Sequence, residues 1–266
     1  MTERVTMARP APTKVSGVIL DWAGTAVDYG CFAPVNAFEQ IFATRGIFPT
    51  TEEVRGPMGQ AKREHIQIML QGERLSQLWR EKYGRDWTEA DVDEMYEQFD
   101  ELLFESLLDF VDVKPGVLDT VDMLRDRDIK IGSTTGYTPE MMKVVSDGAK
   151  AGGYAPDEYV TPACVGYGRP HPFMVFENMR RLNLGSEDEI IKVGDTISDI
   201  IEGKNAKVYS VGVIEGSSEM GLTEEEFESL TDDQKAHLSE DIRNRYLEAG
   251  ADAVLQEVKD LKLLLN

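Results

Sequence analysis

The sequence has few cysteines and no long apolar run. Cys31 and Cys164 are the two cysteines among 266 residues, and neither belongs to a close pair of the kind that binds metal. Two thiols are too few for a disulfide framework, so we expect both to be free in a reducing cytoplasm. A membrane-spanning helix needs about 20 consecutive apolar residues, and no stretch approaches that length. Residues 1–12 lack the apolar core of a signal peptide and are interpreted as a short tail.

Basic residues are also scarce. Lysine and arginine number 28 against 49 aspartates and glutamates, which gives a formal net charge of -21. This balance argues against nucleic acid or an anionic membrane as the main partner, because both attract basic surfaces. An anionic small molecule would need local positive charge, so cations near a candidate site are informative.

The order of apolar and helical patterns predicts the fold class. Hydrophobic residues make up 41% of the chain, enough for a sizeable core. Short apolar runs alternate with helical patterns, except that residues 34–108 show helical patterns alone. We predict an α/β fold: a doubly wound, Rossmann-like parallel sheet with an inserted helical cap over the carboxyl ends of the strands. The catalytic core would comprise residues 1–30 and 109–266, and the cap residues 31–108. Strands are expected at 15–20, 129–133, near 159–160, at 190–193, at 208–213 and near 253–254.

Two strand ends carry carboxylates. Asp21 follows the apolar run 18–20 and precedes a turn at Gly24, while Asp195 and Asp199 follow the apolar run 190–193. Ligands bind at the carboxyl ends of strands in open α/β sheets. An isolated aspartate in such a place is more often a helix cap or a turn residue. Together, however, the acids indicate one metal-assisted site built from distant segments.

Four short segments resemble the motifs of the haloacid dehalogenase superfamily. These motifs are a nucleophilic aspartate, a serine or threonine, a lysine or arginine, and a closing acidic pair. The resemblance spans residues 15–213 and implies phosphoryl transfer, in which Asp21 attacks phosphorus. Thr135, the amide of Gly136 at a helix start, and Arg169 would bind the phosphoryl oxygens. The segments are residues 21–25, 133–136, 168–170 and 194–199.

Position 23 departs from the usual superfamily pattern. Phosphatases and mutases of the superfamily carry a second aspartate there to protonate the leaving oxygen, whereas this chain has Ala23. A methyl group donates no proton, so either the protein is impaired or its leaving group needs no acid. A phosphorus atom bonded to carbon provides the second case. The leaving carbanion then needs an electron sink, which an iminium between an aldehyde and a lysine supplies.

The segment 55–65 contains a suitable lysine, Lys62. Together with residues 21–34, 132–137, 168–170 and 193–196, this segment resembles the phosphonatase branch of the superfamily. The resemblance implies that Lys62 forms a Schiff base with the substrate aldehyde. It also implies a Mg²⁺ ion bound by Asp21, the backbone carbonyl of Ala23 and Asp195. Asp199 would contact this ion directly or through water.

Other residues of the matching segments have two interpretations each. His65 falls three positions after Lys62, so on a helix it would share that face and either hold a water or pack structurally. Met58 would either cover the imine or belong to the core. Cys31 and Tyr137 would line the pocket. The family also tends to dimerise through its caps, which implies a homodimer.

The resemblance to the phosphonatase branch implies hydrolysis of the C–P bond of phosphonoacetaldehyde to acetaldehyde and phosphate, in the degradation of 2-aminoethylphosphonate. Closure of the cap would bring Lys62 to Asp21 and exclude water. Two alternatives remain open at this point. The first is a phosphatase or dehalogenase of the same superfamily, and the second is a non-catalytic member that binds phosphate.

Overall fold

Six strands form one sheet in the computed structural model, which describes residues 4–58 and 60–265. The spatial order is β1-β6-β5-β4-β2-β3, in which β1 runs antiparallel to β6 and the other neighbours are parallel. This arrangement confirms the predicted α/β class with a mostly parallel sheet. The strands are β1 (Val5–Met7), β2 (Gly17–Leu20), β3 (Lys130–Ser133), β4 (Ile190–Gly194), β5 (Tyr209–Val213) and β6 (Ala253–Leu255).

Twelve α-helices connect the strands within the described residues. Six lie between β2 and β3, and the first five of them form an all-helical block: α1 (Phe32–Ala43), α2 (Thr51–Arg55), α3 (Lys62–Gln71), α4 (Glu73–Tyr83) and α5 (Glu89–Ser106). The others are α6 (Val117–Asp126), α7 (Pro139–Ala151), α8 (Pro162–Val165), α9 (Phe173–Arg181), α10 (Ile197–Asn205), α11 (Glu224–Ser229) and α12 (Asp232–Glu248). None of the helices in the described ranges is both long and apolar enough to cross a membrane.

The strand β2 lies at the point where the chain changes direction across the sheet. It pairs with β3 on one side and with β4 on the other, and Leu20 is level with Ser133 and Val193. All four residues of β2 are buried, as expected for a parallel strand that is covered on both faces. The next residue, Asp21, therefore leaves the sheet at the switch point where open α/β sheets bind ligands.

Apolar helix faces hold the block of α1 to α5 together. Helix α1 buries Val35, Phe38, Ile41 and Phe42 at spacings of three and four residues, and it packs mainly against α5. The ring centres of Phe38 and Phe99 lie 4.4 Å apart. The same apolar cluster continues into the sheet, so the division into a core and a cap at residues 31 and 108 stays a prediction.

Some local predictions were wrong. Residues 1–12, which were interpreted as a tail, contain β1. This strand is only three residues long, which is too short for an apolar pattern to predict it. The strand expected near 159–160 is a single bridge between Thr134 and Val160. Helices α2 and α4 lie within residues 34–108, which were expected to be helical, but neither was predicted as a separate helix, although α4 carries buried Leu75 and Trp79 four residues apart.

Candidate active site

One cavity at the carboxyl end of β2 collects seven of the ten predicted site residues. The lining includes residues that follow strands of the sheet and residues of the helical block. The seven are Asp21, Ala23, Met58, Lys62, Thr135, Gly136 and Arg169, and Cys31 and Tyr137 also line the cavity as expected. The remaining three, His65, Asp195 and Asp199, are buried and do not line the cavity.

Three carboxylates converge beside the cavity. Asp21, Asp195 and Asp199 are buried and offer one oxygen each, all within 4.8 Å of one another. Burial, followed by the charges of Asp21 and Asp199, raises the pKa of Asp195 well above its usual range. A cation would relieve that repulsion, and hard carboxylate oxygens are the donors that Mg²⁺ prefers. The residues therefore fit a divalent metal ion.

Neutral donors and a glycine fix Asp195 in this cluster. Its Oδ1 accepts a hydrogen bond of 3.0 Å from the hydroxyl of Thr25, and its Oδ2 accepts one of 2.7 Å from the backbone amide of Ser218. Gly24 has a φ of +84°, and a Cβ there would clash with Oδ2 of Asp195. Only glycine leaves room for the carboxylate at this turn.

Asp199 is already held by cations. It lies in the first turn of α10, where its Oδ1 accepts 2.6 Å from Lys192 Nζ and its Oδ2 accepts 2.7 Å from the Thr196 hydroxyl. Arg169 Nε lies 3.2 Å from the same Oδ1. Burial acts against its charge, but Arg169 and Lys192 lower the pKa of Asp199 below its usual value. An acid that is engaged on both oxygens is suited to orient its neighbours.

Arg169 provides the cation next to Asp21. Its Nη2 donates to Asp21 Oδ1 and, at 3.0 Å, to the Thr134 carbonyl. Its Nε donates to Glu202 Oε2 at 3.2 Å, and 7% of the side chain is exposed. Burial opposes this charge, but Asp199, Asp21 and Glu202 raise the pKa of Arg169 well above its usual range. The guanidinium is therefore a permanent positive charge at the cavity wall.

The loop after β3 presents Thr135 to the cavity. The amide of Tyr137 donates to Thr135 Oγ1 at 3.1 Å, so the threonine hydroxyl keeps its own proton to donate. Helix α7 begins at Pro139 with Thr138 as its N-cap. The placement of Gly136 at a helix start was therefore wrong, because this residue lies in the preceding loop.

Lys62 opens α3 and reaches the cavity from the helical block. Its Nζ lies 5.7 Å from the centre of the Phe38 ring. Burial is the main cause that lowers the pKa of Lys62, and the positive charge of Arg169 adds to it. Asp21 and Asp100 act in the opposite direction. The environment therefore makes the neutral amine, which is the nucleophilic form of lysine, easier to reach than it is for an exposed lysine.

Met58 and His65 surround Lys62 in different ways. Met58 is buried and faces the cavity. The ring of His65 stacks on Phe38 at 3.6 Å between ring centres, and its Nε2 donates to the Val54 carbonyl at 2.8 Å. These contacts favour a packed histidine, and a direct role in substrate binding stays a prediction. Arg63, on the same helix, forms exposed ion pairs with Glu89 and Asp93 instead of approaching Lys62.

Several polar residues of the site were not predicted from the sequence. Glu202 and Lys192 complete the buried ion network around Arg169 and Asp199. Lys114 donates from Nζ to the Gly24 and Glu215 carbonyls and so fixes the turn after Asp21. Asp100 lines a second cavity together with Lys62, and its Oδ1 is buried with no hydrogen-bond partner among the described residues. Only Lys192 has a sequence signal, since it interrupts an apolar run.

Comparison with known proteins places these features in a known group. The model of the haloacid dehalogenase-like hydrolases matches residues 15–207. A phosphonoacetaldehyde hydrolase of Parabacteroides distasonis is 52% identical over 93% of this chain and 94% of that protein. A bifunctional phosphonoacetaldehyde hydrolase/aminoethylphosphonate transaminase of Clostridioides difficile is 46% identical over 95% of this chain, which matches 40% of that longer protein. The crystal structure of a phosphonoacetaldehyde hydrolase-like protein from Oleispira antarctica superposes with a TM-score of 0.92 at 35% identity, covering 97% of this chain and 94% of the other.

Proposed function

Because the chain belongs to the phosphonoacetaldehyde hydrolase family of haloacid dehalogenase-like hydrolases, we propose that it hydrolyses the C–P bond of phosphonoacetaldehyde. The products are acetaldehyde and inorganic phosphate. The observation that carries this proposal is the meeting of Lys62 and Asp21 in one cavity. An amine and a carboxylate nucleophile are the two groups that this reaction needs.

Lys62 supplies the electron sink. Its neutral amine adds to the aldehyde carbon, and the resulting carbinolamine takes up one proton from solvent and loses water, which leaves an iminium between Nζ and that carbon. The apolar surfaces of Met58 and Phe38 near the amine support this step, because burial lowers the pKa of Lys62. The positive iminium then receives the electron pair of the C–P bond, and an enamine forms.

Asp21 accepts the phosphoryl group in the same step. Its carboxylate attacks phosphorus opposite the C–P bond and becomes an aspartyl phosphate. The hydroxyl of Thr135, the amide of Gly136 and the guanidinium of Arg169 line the cavity and offer hydrogen bonds to the phosphoryl oxygens. Protonation of the enamine carbon and addition of water release acetaldehyde from Lys62. A second water hydrolyses the aspartyl phosphate, so the cycle consumes one water overall.

A divalent cation completes the charge balance. Asp21, the Ala23 carbonyl and Asp195 would hold Mg²⁺, and Asp199 would orient this group directly or through water. The ion supplies positive charge that offsets the repulsion between the phosphonate and the carboxylates. Ala23 leaves the position of the usual second acid empty, which agrees with a carbon leaving group.

The cellular setting follows from the substrate. The bifunctional relative combines its hydrolase with an aminoethylphosphonate transaminase, which supports a place in 2-aminoethylphosphonate degradation. We place the enzyme in the cytoplasm and propose a homodimer, as the family resemblance implies.

Acetaldehyde release tests the proposal. The protein with Mg²⁺ and phosphonoacetaldehyde should release acetaldehyde, and borohydride should inactivate it irreversibly only when substrate is present. Lys62→Arg should lose at least about 10³-fold of the activity and all borohydride sensitivity, because a guanidinium forms no imine. The control is Lys82→Arg, an exposed lysine of α4, which should behave as the unmodified protein. No acetaldehyde from the unmodified protein would contradict the assignment, and phosphate-ester hydrolysis that survives Lys62→Arg would instead identify a phosphatase.

A further inference from the structure

Arg55 connects the helical block to two loops outside it. It is the last residue of α2, and its Nη1 donates 2.9 Å to the Gly30 carbonyl and 3.1 Å to the Ser218 carbonyl. Gly30 precedes the first helix of the block, whereas Ser218 follows β5 on the other side of the insertion. One nitrogen thus joins three separate parts of the chain.

The surroundings of Arg55 are shaped to receive its guanidinium. The guanidinium carbon lies 4.8 Å from the centre of the Phe32 ring. Gly221 has a φ of +65°, and a Cβ there would lie 2.8 Å from Arg55 Nε. The Nε and Nη2 atoms are buried without a hydrogen-bond partner in the described part of the chain. Burying polar groups without partners costs free energy, so packing alone does not explain an arginine here.

Ser218 links Arg55 to the carboxylate cluster through its backbone. Its carbonyl accepts from Arg55, while its own amide donates 2.7 Å to Oδ2 of Asp195. In the other direction along the chain, Arg55 precedes Met58 by three residues and Lys62 by seven. Arg55 therefore belongs to the same helical block as Lys62 and is linked through Ser218 to Asp195 of the carboxylate cluster.

We propose that Arg55 is a positioning residue that couples the seating of the helical block to the binding of a divalent cation. When the block is seated, Arg55 fixes the Ser218 loop, and the Ser218 amide then fixes Asp195 for the cation. By thermodynamic linkage, a cation that prefers the fixed Asp195 also favours the seated block. This coupling rests on the cation site of the proposed function, but it does not depend on the identity of the substrate.

Metal binding without substrate tests the coupling. We would measure Mn²⁺ binding to the full chain by electron paramagnetic resonance, for the unmodified protein, Arg55→Ala, Arg55→Lys and the control Arg63→Ala. Arg63 forms its exposed ion pairs inside the block and reaches neither loop. Arg55→Ala should weaken Mn²⁺ binding about 5-fold or more, the lower range of coupling between sites. Arg55→Lys should recover part of the loss, and Arg63→Ala should bind Mn²⁺ normally.

Hydrogen–deuterium exchange provides the reciprocal readout. Adding Mn²⁺ to the unmodified protein should slow amide exchange around residues 28–31 and 55–58, and this effect should shrink in Arg55→Ala. Equal Mn²⁺ affinity in Arg55→Ala and the unmodified protein would overturn the coupling while leaving the proposed function intact. An unmodified protein that binds no Mn²⁺ would overturn both the coupling and the cation site. A uniform rise in exchange without any change in Mn²⁺ affinity would show that Arg55 is only structural.

Discussion

The charge of Lys62 depends on neighbours of both signs. Burial and Arg169 lower the pKa of the amine, whereas Cys31, Asp21 and Asp100 oppose this shift. Asp100 comes from α5 and faces the same cavity as Lys62. Lys62 in turn limits the rise that burial imposes on the pKa of Asp100. The protonation of the amine is thus a property of the whole cavity.

Removing the charge of Asp100 should make Lys62 easier to deprotonate. An anion near an ammonium raises its pKa, so Asp100→Asn should move the pH dependence of Lys62 acetylation to lower pH. Competitive labelling with acetic anhydride, followed by mass spectrometry of the peptide, measures this dependence directly. The neighbouring Glu101→Gln removes the same charge from an exposed position and should leave the curve in place. Coincident curves for Asp100→Asn and the unmodified protein would refute the expected shift.

A site residue could be predicted from the sequence where it comes after the end of a strand and lies in a recognisable turn. Asp21 and Asp195 both come directly after an apolar run and next to a glycine turn or a helix start. Lys114 and Ser218 could not, because they reach the site through loop contacts whose partners are 90 and 23 residues away. No local pattern records a contact of that kind.

At the scale of elements, helix α3 carries a buried histidine next to the candidate Schiff-base lysine. His65 is fully buried between Phe38 and the Val54 carbonyl. Burial, aided by the charge of Lys62, lowers the pKa of His65 well below 6.5. The folded state therefore keeps the ring neutral under conditions in which the unfolded chain binds a proton.

The stability of the protein should accordingly fall as the pH falls below about 6.5. The unfolded state binds the extra proton there, so this single group lowers the free energy of unfolding by at most about 1.4 kcal/mol per pH unit. The loss ends below the depressed pKa of folded His65. His65→Gln removes this contribution, so its stability deficit relative to the unmodified protein should narrow between pH 7 and pH 5. Urea unfolding at several pH values measures the deficit.

His237→Gln is the matched control for this pH effect. His237 lies on α12 with 80% of its side chain exposed. The stability deficit of His237→Gln relative to the unmodified protein should stay nearly constant between pH 7 and pH 5. A deficit for His65→Gln that also stays constant would contradict the burial of a neutral ring.

The types of the long helices and strands were easier to predict than their ends. Short strands were also harder to predict. The helical patterns of residues 34–108 predicted the helical block, and its long helices α1 and α5 lie there. The strand β1 has three residues and is fixed by pairing with β6, a contact nearly 250 positions away that local sequence does not encode. The expected strand near 159–160 failed because its two apolar residues form only one bridge.

At the scale of the whole molecule, the carboxylate cluster joins the ends of β2 and β4. Asp21 and Asp195 are 174 positions apart in the chain, yet their oxygens lie within 4.8 Å. A cation held there connects two distant segments and binds the folded state only. The four motif segments indicated this meeting because the carboxyl ends of parallel strands share one edge. How the helical block sits on that edge could not be predicted, since it depends on tertiary contacts such as those of Arg55.

Mg²⁺ should therefore stabilise the fold by mass action. At a free concentration of about 100 times its Kd, the gain in unfolding free energy is about 2.7 kcal/mol. Asp195→Asn should abolish most of that gain, whereas Asp188→Asn, an exposed acid before β4, should retain it. Calorimetric Tm values with and without Mg²⁺ give the comparison. An equal Mg²⁺-dependent rise in Tm for Asp195→Asn would place the cation elsewhere.

Three carboxylates surround Arg169, and 7% of its side chain is exposed. These carboxylates compensate its positive charge, so Arg169 contributes little to the electrostatic field in bulk solvent. A phosphonate that diffuses toward the protein instead meets the field of a chain with a net charge of -21. Like charges slow the encounter, and salt screens them over a Debye length of about 8 Å at physiological ionic strength. We therefore expect kcat/KM to rise as ionic strength increases from about 10 to about 150 mM. A fall over this range would mean that the cations of the cavity attract the substrate from a distance. A rise would mean that the cations of the cavity do not attract the substrate over a distance. The negative charge of the protein surface would then limit the rate at which the substrate encounters the site.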